Sequence, residues 1–239
     1  MRYSLIVLLF FLPFWGASQQ TSGTIIYDVK INLHQELTGE RERFKEFLPE
    51  FRTTPFELVF NEQQSVYRRY EDPNEVVDSR GRGRFRMMFG GGSTVFRDFA
   101  DQSKVEQREF MGKNFVITGN LDQKGWKVTG EAGEIAGYPC LKATLPDTAN
   151  DRTLTAWFTP QVGVPTGPDS YAQLPGLVLQ VETDDNSLTI TPREIKWGVV
   201  DEKALDAPRK GKEVTEEEYR QMVRQTMENM RRQRGGGRG

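Results

Sequence analysis

The chain has 239 residues, with 32 Lys and Arg against 34 Asp and Glu, one His and one Cys. A single cysteine excludes an internal disulfide and a single histidine excludes the usual multi-ligand Cys/His zinc centres, so packing must hold the fold. The formal charge of −2 is unevenly placed: residues 208–239 hold nine Lys and Arg against five Asp and Glu, which puts a basic tail on an acidic body.

The chain opens MRYSLIVLLFFLPFWGASQQ, with Arg2, an apolar run from Leu5 to Trp15, and the small residues Gly16, Ala17 and Ser18. This is the layout of a secretory signal peptide, and cleavage is expected after Ala17 or Ser18. Pro13 interrupts the run, which is shorter than the ~20 residues of a membrane span. No cysteine lies near the cleavage region to carry a lipid anchor. The expected product is exported, to the periplasm or in association with the outer membrane. The expected organisation is a signal peptide over 1–18, a β-sheet domain over 19–200, a linker over 201–214, a helix over 215–234 and a disordered tail over 235–239.

TIIYDVKINL, residues 24–33, alternates Ile25, Tyr27, Val29, Ile31 and Leu33 with mostly polar neighbours, the period-two signature of a strand. PFELVFN and SVYRRY, separated by a polar turn, predict a hairpin. STVFRDF, KVEQREF, KNFVIT, GWKVT, YPCLKATL, RTLTAWFT, GLVLQVE and SLTITPREIKWGVV continue the pattern between clusters of turn residues. Many short strands with no helices between them predict an all-β (β-rich α+β) fold: a curled antiparallel meander sheet or unclosed half-barrel with one packed face. Within LTGERERFKEFLPEF, Phe44, Phe47, Leu48 and Phe51 fall at helical spacing and predict a short amphipathic helix covering the sheet. Residues 80–92, where Arg80, Arg82, Arg84 and Arg86 alternate with Gly and Phe, predict a mobile loop.

At the C-terminus, Thr215 and Glu218 fit a capping box, and Glu216, Glu217 and Glu218 suit a helix N-terminus. Tyr219, Met222, Val223, Met227 and Met230 then form one stripe of an amphipathic helix that ends in Arg231, Arg232 and Arg234.

Cys140, between Tyr138 and Leu141 on a predicted strand, reads as a buried small side chain, and His34 as a solvated residue at a strand end. Asp184-Asp185-Asn186 lacks the spacing and the Gly of a calcium loop and reads as a β-turn. No P-loop, dinucleotide fingerprint or nucleophile motif is present, so no cofactor and no catalytic residue is assigned.

GWKVTGEAGEIAGYPCLKAT, AWFTP and GPDSYAQLPGLVLQVE together resemble the GLPGLI family of secreted Bacteroidetes proteins, in the family's order and across most of the mature chain. The resemblance implies an envelope protein with no established reaction. It also implies a sheet that looks like the curled, unclosed barrel of LolA-type lipoprotein carriers, a likeness of fold that does not set function. Gln173 stands where the family name has its first Gly, and Val178 where it has Ile. With Gln at that position, the motif is expected not to need a positive φ there; Gly176 remains a candidate for one.

Two functional readings follow. In the first, the chain is a binding module whose concave face takes an apolar ligand, an acyl chain or a lipoprotein, against Trp157, Phe158, Tyr171, Leu174, Pro175, Gly176 and Leu177. In the second, it is an accessory to an outer-membrane system of the TonB-dependent receptor type. There Met222, Met227 and Met230 dock an envelope protein, and Arg231 and Arg232 lean on an anionic membrane surface. Export argues against a nucleic-acid partner despite the RGG-like segments, and an envelope hydrolase remains the enzymatic alternative. A filled concave face favours the interaction reading, and a large apolar cavity favours the carrier.

Overall fold

A computed structural model of the protein describes residues 20–35, 37, 39–71, 93–121 and 124–235. The signal segment, the Arg/Gly-rich stretch 80–92 and residues 236–239 lie outside the described residues.

Among the described residues, alternation of side chains along the chain resolves into eleven antiparallel strands, each on a segment that the period-two pattern picks out. They are β1 (Gly23–Asn32), β2 (Phe51–Phe60), β3 (Gln64–Arg69), β4 (Thr94–Asp98), β5 (Ser103–Phe110) and β6 (Lys113–Asn120). Then follow β7 (Lys127–Ile135), β8 (Tyr138–Asp147), β9 (Arg152–Thr159), β10 (Leu177–Thr183) and β11 (Leu188–Trp197). A twelfth strand, β12 (Lys212–Thr215), leads into the helix α1 (Glu216–Gly235).

The strands form one sheet in the order β12-β6-β5-β4-β3-β2-β1-β11-β10-β9-β8-β7. Two meanders, β1 to β6 and β7 to β11, are thus sewn together where β1 pairs antiparallel with β11, Ile25 opposite Ile195 and Val29 opposite Ile190. The two ends, β7 and β12, do not pair, so the sheet is unclosed.

One face of the sheet holds the main core. Ile25 and Tyr27 on β1, Leu58 and Phe60 on β2, and Phe158 on β9 all have 1 % exposure or less. This face is not an open trough. The long β9–β10 connection, residues 160–176, lies in it with Val162, Val164, Ala172 and Leu174 buried. A polar bond pins the loop to the sheet, Thr166 Oγ1 donating to Ser65 Oγ at 2.9 Å, and at the start of β10 Tyr27 Oη donates to the Val178 carbonyl at 2.7 Å. Val178 N–H donates back to the Thr166 carbonyl at 2.9 Å. Buried polar groups that find partners cost little, so a polar loop can occupy an apolar concavity.

Residues 201–214, a linker by sequence pattern, pack against the opposite face instead. A 3-10 turn (Glu202–Leu205) is capped by the Asp201 carboxylate, which accepts from Lys203 N–H at 3.0 Å. It seats Leu205, 4 % exposed, among Val59, Val66 and Phe96, which alternate with the inward residues of β2, β3 and β4. The chain then adds β12 parallel to β6, Lys212 opposite Phe115. The pattern of a four-residue edge strand rich in charge is too short to separate from a loop.

The expected covering helix is absent. Gly39–Phe44 forms a short 3-10 helix, and Phe47 is 81 % exposed, so this segment does not lay an apolar face on the sheet. Gly39 has a positive φ of 62°, and Pro49 limits the run, leaving too few residues for a stable α-helix. His34 anchors the segment, its ring Nε2 lying 2.9 Å from the Leu48 carbonyl. The C-terminal helix does form with its capping box: Thr215 N–H donates to Glu218 Oε2 at 2.8 Å and Glu218 N–H to Thr215 Oγ1 at 3.2 Å. No helix among the described residues is long and apolar enough to cross a membrane.

Candidate functional site

The Gln173-Leu174-Pro175-Gly176 step is a doubling-back of the backbone where the loop returns to β10. Gln173 has a φ of 67°, contrary to the expectation that a non-glycine residue there spares the motif a left-handed conformation. The backbone demand persists and Gln173 bears it at a cost that glycine would not incur. Gly176 has a φ of 148°, and a Cβ there would stand 2.3 Å from the Thr159 carbonyl oxygen. Pro175 is exposed, where its missing N–H deprives no ladder. Gly167 closes the other side of the loop, since a Cβ would fall 2.3 Å from the Tyr171 carbonyl oxygen and 2.6 Å from Val178 Cβ.

Among the described residues, two clefts flank the loop on the inner face. The larger, about 820 Å³, opens at the end of the sheet where β1 finishes and β2 begins. Its floor is apolar, from Val29, Ile31, Leu188 and Ile190, beside Phe56 and Tyr67, which stack at 5.1 Å with an interplanar angle of 6°. Arg52 and Arg69 stand on adjacent strands in the same cleft. Burial, and then repulsion from Arg69, lowers the pKa of Arg52. Arg152 is held on the far wall by Asp147 at 2.9 Å and Ser187 Oγ at 2.5 Å. Tyr171 lines the wall formed by the loop, and burial pushes its hydroxyl up to about 12, so it is a neutral donor at physiological pH.

The smaller cleft, about 380 Å³, lies between the loop, the inner face of β4 to β6 and α1. Tyr219 seats the helix there, edge-on to Phe115 at 5.6 Å and to Phe110 at 6.3 Å. Beneath it runs a line of charge. Glu106 pairs with Arg108 at 2.8 Å and Lys104 at 3.6 Å, and Lys104 also reaches Glu216 at 3.3 Å. Arg97, 3 % exposed, donates to the Gly167 carbonyl at 3.5 Å and to the Asp169 carbonyl. Burial pulls its pKa down to about 10, while Asp169 and Glu106 work the other way, so it stays cationic.

Of the residues singled out from the motif, only Tyr171 lines a cleft. Phe158, Leu174 and Leu177, at 1 %, 2 % and 0 % exposure, are packed in the core. Trp157 alternates with Phe158 and lies on the opposite face of β9, its ring against Gly133. On α1, Met222 and Met230 are half-buried, while Met227 and Arg232 are exposed; the Arg231 side chain lies outside what is described. Cys140 is buried, and burial raises its thiol to about 11, which keeps it unreactive. Asp184-Asp185-Asn186 forms the β10–β11 turn, and no group of three or more metal-ligating side chains occurs among the described residues.

Sequence reasoning missed Arg52, Arg69 and Arg97. The signal was present: each arginine is in phase with inward apolar residues of its own strand, Arg52 with Phe56, Arg69 with Tyr67 and Arg97 with Val95. A charge at an inward position needs a partner or a ligand.

The sheet is similar to two crystal structures described as PNGF-II, in space groups P21 and C2. Each has a TM-score of 0.57 and 17 % identity and covers 85 % of this chain. The chain spans about a third of those proteins, 33 % and 32 %, so the likeness is one of fold. No curated protein matches the chain in sequence. Residues 146–180, which run from the end of β8 through the loop into β10, match the family described as a protein of unknown function (Porph_ging), and the resemblance to the GLPGLI family stands on that segment.

Proposed function

We propose that this chain is an exported, non-enzymatic binding module of the cell envelope whose larger cleft takes an amphipathic ligand, an apolar body with an anionic head. The observation that supports this is the composition of the cleft. An aliphatic and aromatic floor lies beside the guanidinium groups of Arg52 and Arg69, hydrogen-bond donors of the kind that suit an anionic head. Among the described residues the loop fills the centre of the inner face, which weighs against a carrier with a continuous apolar cavity, so the proposed ligand is confined to the cleft at the open end of the sheet.

Uptake of a fluorescent fatty acid by the purified mature chain tests the reading. Each methylene removed from water contributes up to ~0.8 kcal/mol, so affinity should rise by up to about fourfold per carbon between octanoate and dodecanoate. Arg52→Gln together with Arg69→Gln should weaken dodecanoate at least fivefold with the fold intact by circular dichroism. No uptake and no lipid in an organic extract of the purified protein would count against the proposal, as would affinity that ignores chain length.

A further inference from the structure

The larger cleft ends along an oblique line across three strands. On β1 its lining stops at Val29, before the buried Tyr27, and on β2 at Phe56, before the buried Leu58. On β3 it stops at Tyr67, and the next inward residue, Ser65, lies under the 160–176 loop, bonded to Thr166 Oγ1 at 2.9 Å. Asp169 and Tyr171, from the tip of that loop, supply the wall of the cleft on this side.

The tip is held in a conformation it would not keep unaided. Asp169 has a left-handed φ of 45°, which a residue with a side chain adopts at a cost. Arg97, buried at an inward position of β4, spans the turn: its guanidinium donates to the Gly167 carbonyl at 3.5 Å and to the Asp169 carbonyl. A buried cation is costly unless its donors are used, and a charged donor bonds a carbonyl more strongly than a neutral one. Both of those bonds go to the loop tip. Arg97 does not itself line the larger cleft, so it acts on that cleft only through the tip.

We infer that Arg97 is a positioning residue for the larger cleft: its clasp on the Gly167 and Asp169 carbonyls fixes the 167–171 tip as an end-stop, and the stop limits the length of apolar chain the cleft takes. The inference rests on the amphiphile reading of that cleft. The lining of β2 from Arg52 to Phe56 spans roughly 13 Å at the rise of a strand, comparable with the extended chain of dodecanoate. A longer chain leaves its surplus methylenes in water, where they add nothing to affinity.

Displacement of a fluorescent fatty acid from the full mature chain by octanoate, dodecanoate and hexadecanoate, each below its micellar concentration, tests this. In wild type, dodecanoate should bind at least tenfold more tightly than octanoate, and hexadecanoate within twofold of dodecanoate. In Arg97→Met, which keeps the side-chain bulk and removes the donors, hexadecanoate should bind at least fivefold more tightly than dodecanoate. Arg97→Lys, which keeps a charged donor, should restore the wild-type ratio. Should Arg97→Met fail to fold by circular dichroism, Thr166→Val decides: it loosens the same loop by removing the bond to Ser65, and it should raise the ratio of hexadecanoate to dodecanoate affinity at least threefold, an unchanged ratio overturning the inference. A steady gain per carbon through hexadecanoate in wild type also overturns it. So does a folded Arg97→Met that keeps the wild-type ratio, or that loses affinity equally at every chain length, the mark of a purely structural role. Absence of binding at every length removes the amphiphile reading and this inference with it, whereas binding with the ratios unmoved overturns this inference alone.

Discussion

Gln173→Gly isolates the cost of a non-glycine residue at the left-handed turn before β10. Gln173 holds a left-handed φ of 67° and a buried, unpartnered Nε2. Glycine removes ~1 kcal/mol of backbone strain and an orphaned donor whose burial costs ~1–3 kcal/mol. Against this, glycine has more freedom to lose on folding, ~0.4–1 kcal/mol, and the half-buried methylenes of Gln173 give up ~1 kcal/mol of burial. The terms sum to a gain of about 0–2.6 kcal/mol, centred near ~1.3 kcal/mol, or a Tm rise of about 3–5 °C at that centre for a domain of this size. Urea unfolding of wild type, Gln173→Ala and Gln173→Gly reads it directly. Alanine also removes the orphaned amide but keeps the strained φ, so with glycine's greater unfolded freedom set against ~1 kcal/mol of strain the glycine variant should exceed it by ~0–0.6 kcal/mol. A glycine variant less stable than wild type would refute the strain and the missing partner as the dominant costs.

Gly176→Ala should destabilise by ~3 kcal/mol or more in the same urea assay, since a φ of 148° is joined to a Cβ position 2.3 Å from the Thr159 carbonyl oxygen. A loss under 1 kcal/mol would mean that the loop re-routes freely. Burial opposes ionisation of Asp185, yet hydrogen bonds from Ser187 and Thr183 and the Arg152 charge bring its carboxyl down to about 2. That lies below the unfolded value of ~3.9, so its contribution is present above about pH 5 and is lost as pH falls from about 4 towards 2. Because the side chain is exposed, the effect should stay under ~1 kcal/mol. Asp185→Asn should flatten the pH dependence of unfolding across that window, and an unchanged slope would remove Asp185 as a contributor.

Strand positions were legible because a half-buried strand writes its two faces into the chain at period two. TIIYDVKINL and RTLTAWFT became β1 and β9 on that signal alone. The capping box of Thr215 and Glu218 was equally local, its partners three residues apart. GERERFKEF was misread because spacing of Phe44, Phe47 and Leu48 says nothing about whether a surface is there to receive them, and Phe47 points into solvent. The motif raised the right question at the wrong atoms. Its apolar residues Leu174 and Leu177 are core, while its conformational demand falls on Gln173 and Gly176.

What the sequence by itself determined is the eleven antiparallel strands, without β12, and the capped helix, all written in contacts between near neighbours. Only the tertiary structure decided that β1 closes on β11, that residues 160–176 fill the inner face, and that arginines 52, 69 and 97 gather around two clefts. Those outcomes depend on pairs far apart in the chain, such as Ser65 with Thr166 and Tyr27 with Val178. A side-chain pattern tells which face of a strand is buried, but what lies against that face is set by sheet curvature and by which loop reaches it first.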